Sequence, residues 1–394
     1  MKFDFSNTRY VRMFEESLEG RQILTYILNN PELLRSNYTF WKPIFPADGS
    51  VLPTDKTGRA AVRIDARKPE MATMPDWRAP LGTGRLGEEG EAISYNAGII
   101  DLIALGWQEQ AKEREYKEKI FQDFGSDAPL LLGYATDVVQ PRMDSINMAI
   151  SNMAAQALST GQVIYTGGKG IHGPVYKAPI PAENFVNPTK VFTDPDCDIF
   201  AEMVAIEKHF KEDVWGFETY AGVWDVPYDM FMNVFLKNSK IIEFMKINWL
   251  ADRGQLISQT SAVPSTIVTP ESFVTLAASR YPELSPINII KESQFDEGTK
   301  VHGWKPGVIT FRPRGIAGKT YRTENLDKYM SEKYGNSILT QVFASTMDGL
   351  MTVCHTTGAN GKYKYWSADF MSSATPIIDV FLHQVIVDTT KAKA

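Results

Sequence analysis

The sequence predicts an α+β fold, and three observations carry that expectation. Val62-Arg-Ile-Asp-Ala-Arg67 and Ile93-Ser-Tyr-Asn-Ala97 both alternate with period two, so they read as the arms of one long hairpin within residues 56–105. Met143, Ile146, Ile150, Met153 and Ala157 step by three and four, which makes a single apolar helix stripe. Strand-and-turn material rich in Gly and Pro fills 165–226, and the last fifty residues read as a hairpin plus a closing strand.

Each element has a local reason. Residues 1–55 form an N-terminal arm with little core of its own. Tyr10 to Leu28 has helical spacing, and Asn29-Asn30-Pro31 stops it. Trp41-Lys-Pro-Ile-Phe-Pro46 reads as extended, because each proline disfavours helix in the residue before it.

The hairpin segment has few large apolar side chains for its length. Ordering it costs more than their burial returns, so it lies on something else, and a neighbouring copy of the chain is the leading expectation. Its charges are sorted. Lys56, Arg59, Arg63, Arg67 and Lys68 lie on the first arm, and Glu88, Glu89 and Glu91 on the return. The ribbon pairs with itself, or it docks on a sister molecule through complementary charge. In the second case these residues, with Trp77 between the arms, are the candidate intersubunit contacts.

Gly98 to Leu105 is an apolar run, and Trp107 to Phe124 reads as a charged, solvent-facing helix broken at Gly125-Ser-Asp-Ala-Pro129. Pro141 starts the Met143–Ala157 helix, Gly161 closes it as a left-handed cap, and Val163-Ile-Tyr165 begins a strand. Asp225-Val-Pro227 is expected to cap a helix running to about Lys246, with Phe231, Val234, Phe235, Ile241, Ile242 and Met245 on its buried side. Thr269-Pro270-Glu271 caps another, to Arg280. Strands follow near 287–291 and 307–312, then a short helix over 326–334 ending at Gly335. Gly349 to His355 and Lys362 to Trp366 flank a turn at Gly358-Ala-Asn360-Gly361, and Ile377 to Val387 supplies the final β material.

Composition narrows the function classes. A chain of 394 residues holds one to three domains, and a net charge of −6 argues against general nucleic-acid binding. Cys197 and Cys354 are far apart, in no CxxC pattern, and read as small buried side chains in a reducing compartment. No apolar region follows the first residues as a signal peptide requires, and no run of about 18 apolar residues exists to span a membrane.

The chemical motifs are weak. Pro313-Arg-Gly315-Ile-Ala-Gly318-Lys319-Thr320 nearly matches a phosphate loop. Pro313 replaces the first glycine, however, and no helix starts after Thr320, so a tight turn between two strands is the expectation. Gly82-Thr-Gly84-Arg-Leu-Gly87 fits GxGxxG without a feeding strand and reads as a hairpin tip. Asp194-Pro-Asp196-Cys-Asp198 begins like a calcium loop, but Ile199 stands where its glycine belongs, so an Asx turn fits better. His172, His209, His302, His355 and His383 share no metal-ligand spacing. No cofactor, metal or catalytic group is expected.

The order of parts is an arm, a charged hairpin, and a helix closed by Leu158-Ser-Thr-Gly161-Gln-Val-Ile164. A mixed domain follows, then Trp304-Lys-Pro-Gly307-Val-Ile-Thr-Phe-Arg-Pro313 with Gly318-Lys-Thr-Tyr321. This layout resembles the major capsid proteins of tailed bacteriophages, with the Hong Kong 97-type fold and of the phage lambda type. The resemblance implies an extended loop at 56–105 that overlaps the next subunit. It implies a peripheral domain at 106–190 with its spine helix, an axial domain at 191–344, and C-terminal strands at 345–394 returning to the peripheral domain. It implies self-assembly into the pentamers and hexamers of an icosahedral head. That head encloses double-stranded DNA, held only non-specifically, and is part of a virion assembled in the host cytoplasm. Scaffolding, portal and decoration proteins are candidate further partners, and no membrane is involved. Some relatives cross-link subunits through a Lys–Asn bond, for which Lys56 or Lys68 with Asn360 are the candidates. Rival readings are an encapsulin-like compartment shell, a portal or tail component, and a nucleotide-dependent phage enzyme resting on Gly318-Lys319-Thr320.

Overall fold

In a computed structural model of the chain, the described residues are 38–54, 60–67, 92–100, 103–108, 138–165, 173–216, 221–252, 269–291, 294–296, 299–301, 303–324, 341–346, 350–360 and 363–393. Strands run in chain order Ala47–Leu52 (β1), Ala60–Arg67 (β2), Ala92–Ile99 (β3), Ile103–Gln108 (β4), Gln162–Tyr165 (β5), Gly173–Lys177 (β6), Phe185–Val186 (β7), Gly222–Pro227 (β8) and Ile287–Ile290 (β9). They continue Gln294–Asp296 (β10), Thr299–Val301 (β11), Val308–Pro313 (β12), Gly318–Thr323 (β13), Gln341–Thr346 (β14), Met351–Asn360 (β15), Tyr363–Ser372 (β16), Thr375–Ile378 (β17) and Val385–Asp388 (β18). The α-helices are Gln140–Thr160 (α1), Ile199–Lys208 (α2), Tyr228–Asn233 (α3), Ser239–Asp252 (α4) and Pro270–Arg280 (α5). The described residues form two compact units, one within Met1–Val62, Ala97–Met153 and Lys319–Ile377, the other within Arg63–Asn96, Ala154–Gly318 and Ile378–Ala394.

The first unit contains an antiparallel sheet in the order β14-β15-β16-β4 and a three-stranded sheet in the order β1-β13-β17. The long hairpin β15–β16 runs from Met351 opposite Ser372 to Asn360 opposite Tyr363. Gly358 and Asn360 are therefore ladder residues, not part of the connection the sequence suggests. Trp107 and Gln108 pair with Ala368 and Ser367 as strand residues, so they are not the start of the expected helix, and the rest of its span to Phe124 lies outside the described residues. The expected helices at Tyr10–Leu28 and 326–334 also lie outside them.

Trp41 to Pro46 is not extended. Ile44 and Phe45 N–H groups donate to the Trp41 carbonyl at 3.0 and 2.7 Å, closing a turn. Trp41, Ile44 and Phe45 are buried, and burying three large apolar side chains, worth about 1.5–3 kcal/mol each, outweighs the local preference before proline. The arm also adds a strand, since β1 pairs in parallel with β13. The stripe residues of α1 that fall in this unit, Met143, Ile146, Ile150 and Met153, are all buried, as their spacing predicts.

The second unit is built on a five-stranded sheet in the order β7-β18-β12-β8-β9. β12 is antiparallel to both β18 and β8, while β7 and β9 add in parallel at the edges. Its core is aromatic. Phe200 stacks on Phe273 at 5.8 Å, Phe231 meets Phe273 edge-on at 5.0 Å, and Trp224 lies 5.0 Å from Phe311. α1 ends here at Gly161, whose φ of +67° places it in the left-handed region. A Cβ on Gly161 would stand 2.3 Å from Ile180 Cδ1, so packing as well as backbone conformation calls for glycine.

Several expectations fail in this unit. α2 lies inside the stretch read as strand and turn. Asp198 caps it, accepting from Ala201 N–H at 3.1 Å, and Ile199, Phe200, Met203 and Ile206 form its buried face. Asp225 caps nothing, because it is a fully buried residue of β8. The single helix expected to Lys246 is two, broken before Asn238, whose Oδ1 accepts from Lys240 and Ile241 N–H at 3.0 and 3.1 Å. Its Nδ2 donates to the Cys197 carbonyl at 3.0 Å. The break turns Ile242 outward to 37% exposure, while Phe231, Phe235, Ile241 and Met245 stay buried and Val234 is partly so. α5 begins at the expected Thr269 cap, and Ser272 completes it as a capping box.

The centre of this sheet holds an ion pair. Arg312 Nε donates to Asp225 Oδ2 at 2.6 Å, and Asn288 Nδ2 donates to Asp225 Oδ1 at 2.8 Å. The side chains of Arg312 and Asp225 are 3% and 0% exposed. Arg312→Met leaves a buried carboxylate without its cation, so urea denaturation is expected to show a loss of about 3–5 kcal/mol. A second expectation concerns acid. Burial holds the His383 imidazole, edge-on to Trp215 at 5.4 Å, below its ordinary pKa. Above about pH 6.5 the ring is neutral whether folded or not. As pH falls through that value the unfolded chain takes up a proton that the folded chain refuses, so stability declines until the folded pKa is passed. His383→Gln should flatten this decline in denaturation midpoints between about pH 7 and 5.

Candidate functional site

β2 and β3 pair as a two-stranded ribbon, as the double alternation predicts. Ala60 and Ile64 on β2 and Ala97 and Ile99 on β3 are buried, so this part of the segment rests on its own chain. Of the candidate contact residues, Lys56, Arg59, Lys68, Trp77, Glu88, Glu89 and Glu91 lie outside the described residues, as do the expected hairpin tip at Gly82–Gly87 and cross-link candidates Lys56 and Lys68. Arg67 ends β2, and its side chain is outside the description. Arg63 is exposed. Its Nε donates to Asp65 Oδ1 at 2.8 Å, two residues along the same strand face. Both side chains are more than 60% exposed, at 69% and 64%. An ion pair this wet is worth about 0–1 kcal/mol, which leaves the Arg63 charge available to a partner surface.

Sequence reasoning missed Tyr95 as anything beyond an alternating apolar residue. Its hydroxyl donates to the Ile378 carbonyl at 2.6 Å, and its ring stands edge-on to Phe381 at 5.1 Å and 85°. Tyr176 lies 6.1 Å from the Tyr95 ring and also hydrogen-bonds the Ile378 backbone. Burial, with the neighbouring Tyr95 and Asp379, pushes the Tyr176 phenol well above its ordinary pKa. No local signal could reveal this cluster, because Tyr95 and Ile378 are 283 residues apart.

The near-phosphate loop is a turn from β12 into β13, as expected. Arg312 Nη1 donates to the Pro313 and Gly315 carbonyls at 2.9 and 2.8 Å, so the turn presents oxygens inward to a guanidinium. Gly315 has φ +105°, which supplies the sharp reversal. Lys319 Nζ donates to Asp48 Oδ1 at 2.8 Å, and Thr320 Oγ1 donates to the Phe45 carbonyl at 2.7 Å. Hydrogen bonds from Lys319 and then Ser50 hold the Asp48 carboxyl below its usual pKa. Both residues that would meet a nucleotide are thus committed to the arm, and β13 occupies the place of the helix a phosphate loop needs.

The remaining candidates are structural. Asp194 Oδ1 accepts from Asp196 N–H at 2.9 Å, the expected Asx turn. Among the described residues no group of three or more His, Cys, Asp and Glu is placed to hold a metal ion. His209 Nδ1 is 2.8 Å from Asp213 Oδ2 on the surface. His172 and His302, and the side chains of His355 and Cys354, are outside the description. Cys197 is buried, and burial, with Glu202 and the flanking aspartates, pushes its thiol up to about 11, so it is an inert core residue. No described helix is long and apolar enough to cross a membrane.

No protein-family model matches the sequence. No curated protein matches it either. Solved structures do. A protein assigned as the capsid protein of a prophage in E. coli CFT073 aligns over 93% of this chain and 97% of its own, at 12% identity and a TM-score of 0.51. A phage-related protein from Bordetella bronchiseptica RB50 covers 94% of this chain and 96% of its own, at 13% identity and a TM-score of 0.46. The capsid of cyanophage A-1(L) covers 92% and 94%, at 10% identity and a TM-score of 0.38. The first of these carries the argument, and it establishes fold: the chain is α+β with the Hong Kong 97-type arrangement that the layout implies.

The committed state of Lys319 generates a test. Lys319→Ala should cost less than about 1 kcal/mol, because the pair with Asp48 is partly exposed. Titration calorimetry with ATP and magnesium should give no binding heat for the parent protein or the variant.

Proposed function

We propose that this chain is a major capsid protein, a non-enzymatic building block that self-assembles into the pentamers and hexamers of an icosahedral phage head around double-stranded DNA. The observation that carries the reading is the near full-length correspondence of fold with a prophage capsid protein. A shared fold alone does not make a function. Two further features agree with it. A paired two-stranded ribbon extends a segment whose charges are sorted between its arms. The net charge of −6 suits a container that must not adhere to its DNA.

Each contact in such a shell is modest, and closure with many copies makes it durable. Lys56, Arg59, Arg63, Arg67, Lys68, Trp77, Glu88, Glu89 and Glu91 are the proposed intersubunit contacts. Their charges would set register and partner choice more than affinity. The domain plan is part of the proposal: arm 1–55, extended loop 56–105, peripheral domain 106–190, axial domain 191–344 and C-terminal strands 345–394. Scaffolding, portal and decoration proteins are proposed partners, and a virion assembled in the host cytoplasm is the proposed location.

Negative-stain microscopy of the purified protein is expected to show closed shells or capsomers, and a strictly monomeric protein, or rings alone, refutes the proposal. Replacing residues 68–91 by an Asn-Gly turn keeps the described strands of the ribbon. That variant is expected to stay folded by circular dichroism and to form no closed shells. Normal particles from it would remove the extended loop from assembly.

A further inference from the structure

We infer that Tyr95 is the positioning residue that sets the angle at which the 63–67 and 92–96 part of the β2–β3 ribbon lies on the second unit. The inference deepens the shell reading and rests on it for one of its two readouts.

Burial falls along β3. Ile99 and Ala97 are buried, Tyr95 and Ile93 are half-buried, and Asn96, Ser94 and Ala92 are exposed. A two-stranded ribbon is marginal in water by itself, so its direction is decided where its side chains still grip a packed body. Tyr95 lies at that margin. Its hydroxyl donates to the Ile378 carbonyl, and its ring stands edge-on to Phe381.

What it grips is rigid. Ile378 and Phe381 are fully buried. The next two N–H groups, of Asp379 and Val380, both donate to the Ala317 carbonyl, at 2.9 and 3.2 Å. His383 N–H closes the following turn on Val380 at 2.9 Å. Tyr176, buried beside Tyr95, hydrogen-bonds the same Ile378 backbone, which leaves the platform little freedom to follow the ribbon. A hydroxyl bond also defines an angle, where an apolar contact would tolerate sliding. On the shell reading, the angle fixed at this residue bears on where the extended loop meets a second copy of the chain.

The test uses full-length protein with Tyr95→Ala and Tyr95→Phe. Hydrogen exchange on the unassembled chain reads the grip, and electron microscopy of assembled particles reads the direction. Tyr95→Ala should speed exchange in Ala92–Ile99 about tenfold or more, having lost a hydrogen bond and an aromatic pair. Tyr95→Phe keeps the ring and should show a smaller increase. Val385–Asp388, inside the sheet between β7 and β12, should exchange as in the parent. Particles of Tyr95→Ala should spread in diameter or stay open, with Tyr95→Phe restoring much of the uniformity. Unchanged exchange in Tyr95→Ala overturns the inference. So does faster exchange throughout the second unit, which would make Tyr95 a general stability residue, and so does loosened exchange with unaltered particles. Should the parent protein form no particles, the shell reading fails, and exchange alone decides whether Tyr95 holds the ribbon.

Discussion

A carboxylate shut away from water stays in place only if its oxygens are used, and two such groups govern the second unit. Asp225 takes hydrogen bonds from Arg312 and Asn288, tying β8 to β12 on one side and β9 on the other. Glu207 accepts from Trp224 Nε1 at 3.0 Å, Ser285 N–H at 3.0 Å and Lys211 Nζ at 2.5 Å, and from the Ser285 hydroxyl. That second group fixes the helical segment around 207–211 to the sheet and to the turn entering β9. Satisfied networks of this kind allow one register and penalise the others. The same guanidinium that neutralises Asp225 also holds the carbonyls of the 313–318 turn, so one ion pair shapes both the sheet and its exit.

The two short motifs behind the capsid resemblance are neighbours in space. Lys305 N–H, in the Trp304 motif, donates to Ser159 Oγ at 3.0 Å, within the helix-ending Leu158–Gly161 motif. Gln384 adds its amide to the carbonyls of Ala157 and Leu158, which the helix end would otherwise leave open. Thr389 N–H meets the Gly307 carbonyl at 2.9 Å, and a Cβ on Gly307 would stand 2.3 Å from Thr390. Helix end, strand entry and chain terminus therefore constrain one another, and this explains why small residues and a hydroxyl stand at those points.

Legibility followed the range of the interactions. The α1 stripe, its Gly161 cap, the Thr269 cap and the alternation of β2 and β3 each depend on residues a few positions apart, and all were readable. α2 was not read. The surrounding Gly- and Pro-rich composition masked an apolar face that only the aromatic core completes, and Asp198, its cap, was read only as part of an Asx turn. Asp225 was read as a cap because Asp before a helix usually is one. Its true partner, Arg312, is 87 positions away. The Trp41–Pro46 segment failed for the same reason, since distant burial overrode a local proline preference. At the site, the ribbon was legible and its anchor was not.

The sequence alone determined the α+β class, the order of parts, the helix and strand periodicities, and the absence of a complete phosphate loop, because these are patterns of side chains along one chain. Tertiary structure decided that the last strand, β18, lies inside a sheet between β7 and β12, and that Lys319 and Thr320 serve the arm. It also decided that Tyr95 grips Ile378. Such facts depend on which distant groups share a small volume from which water is excluded, and hydrogen-bond geometry within that volume is not written in the spacing of neighbours.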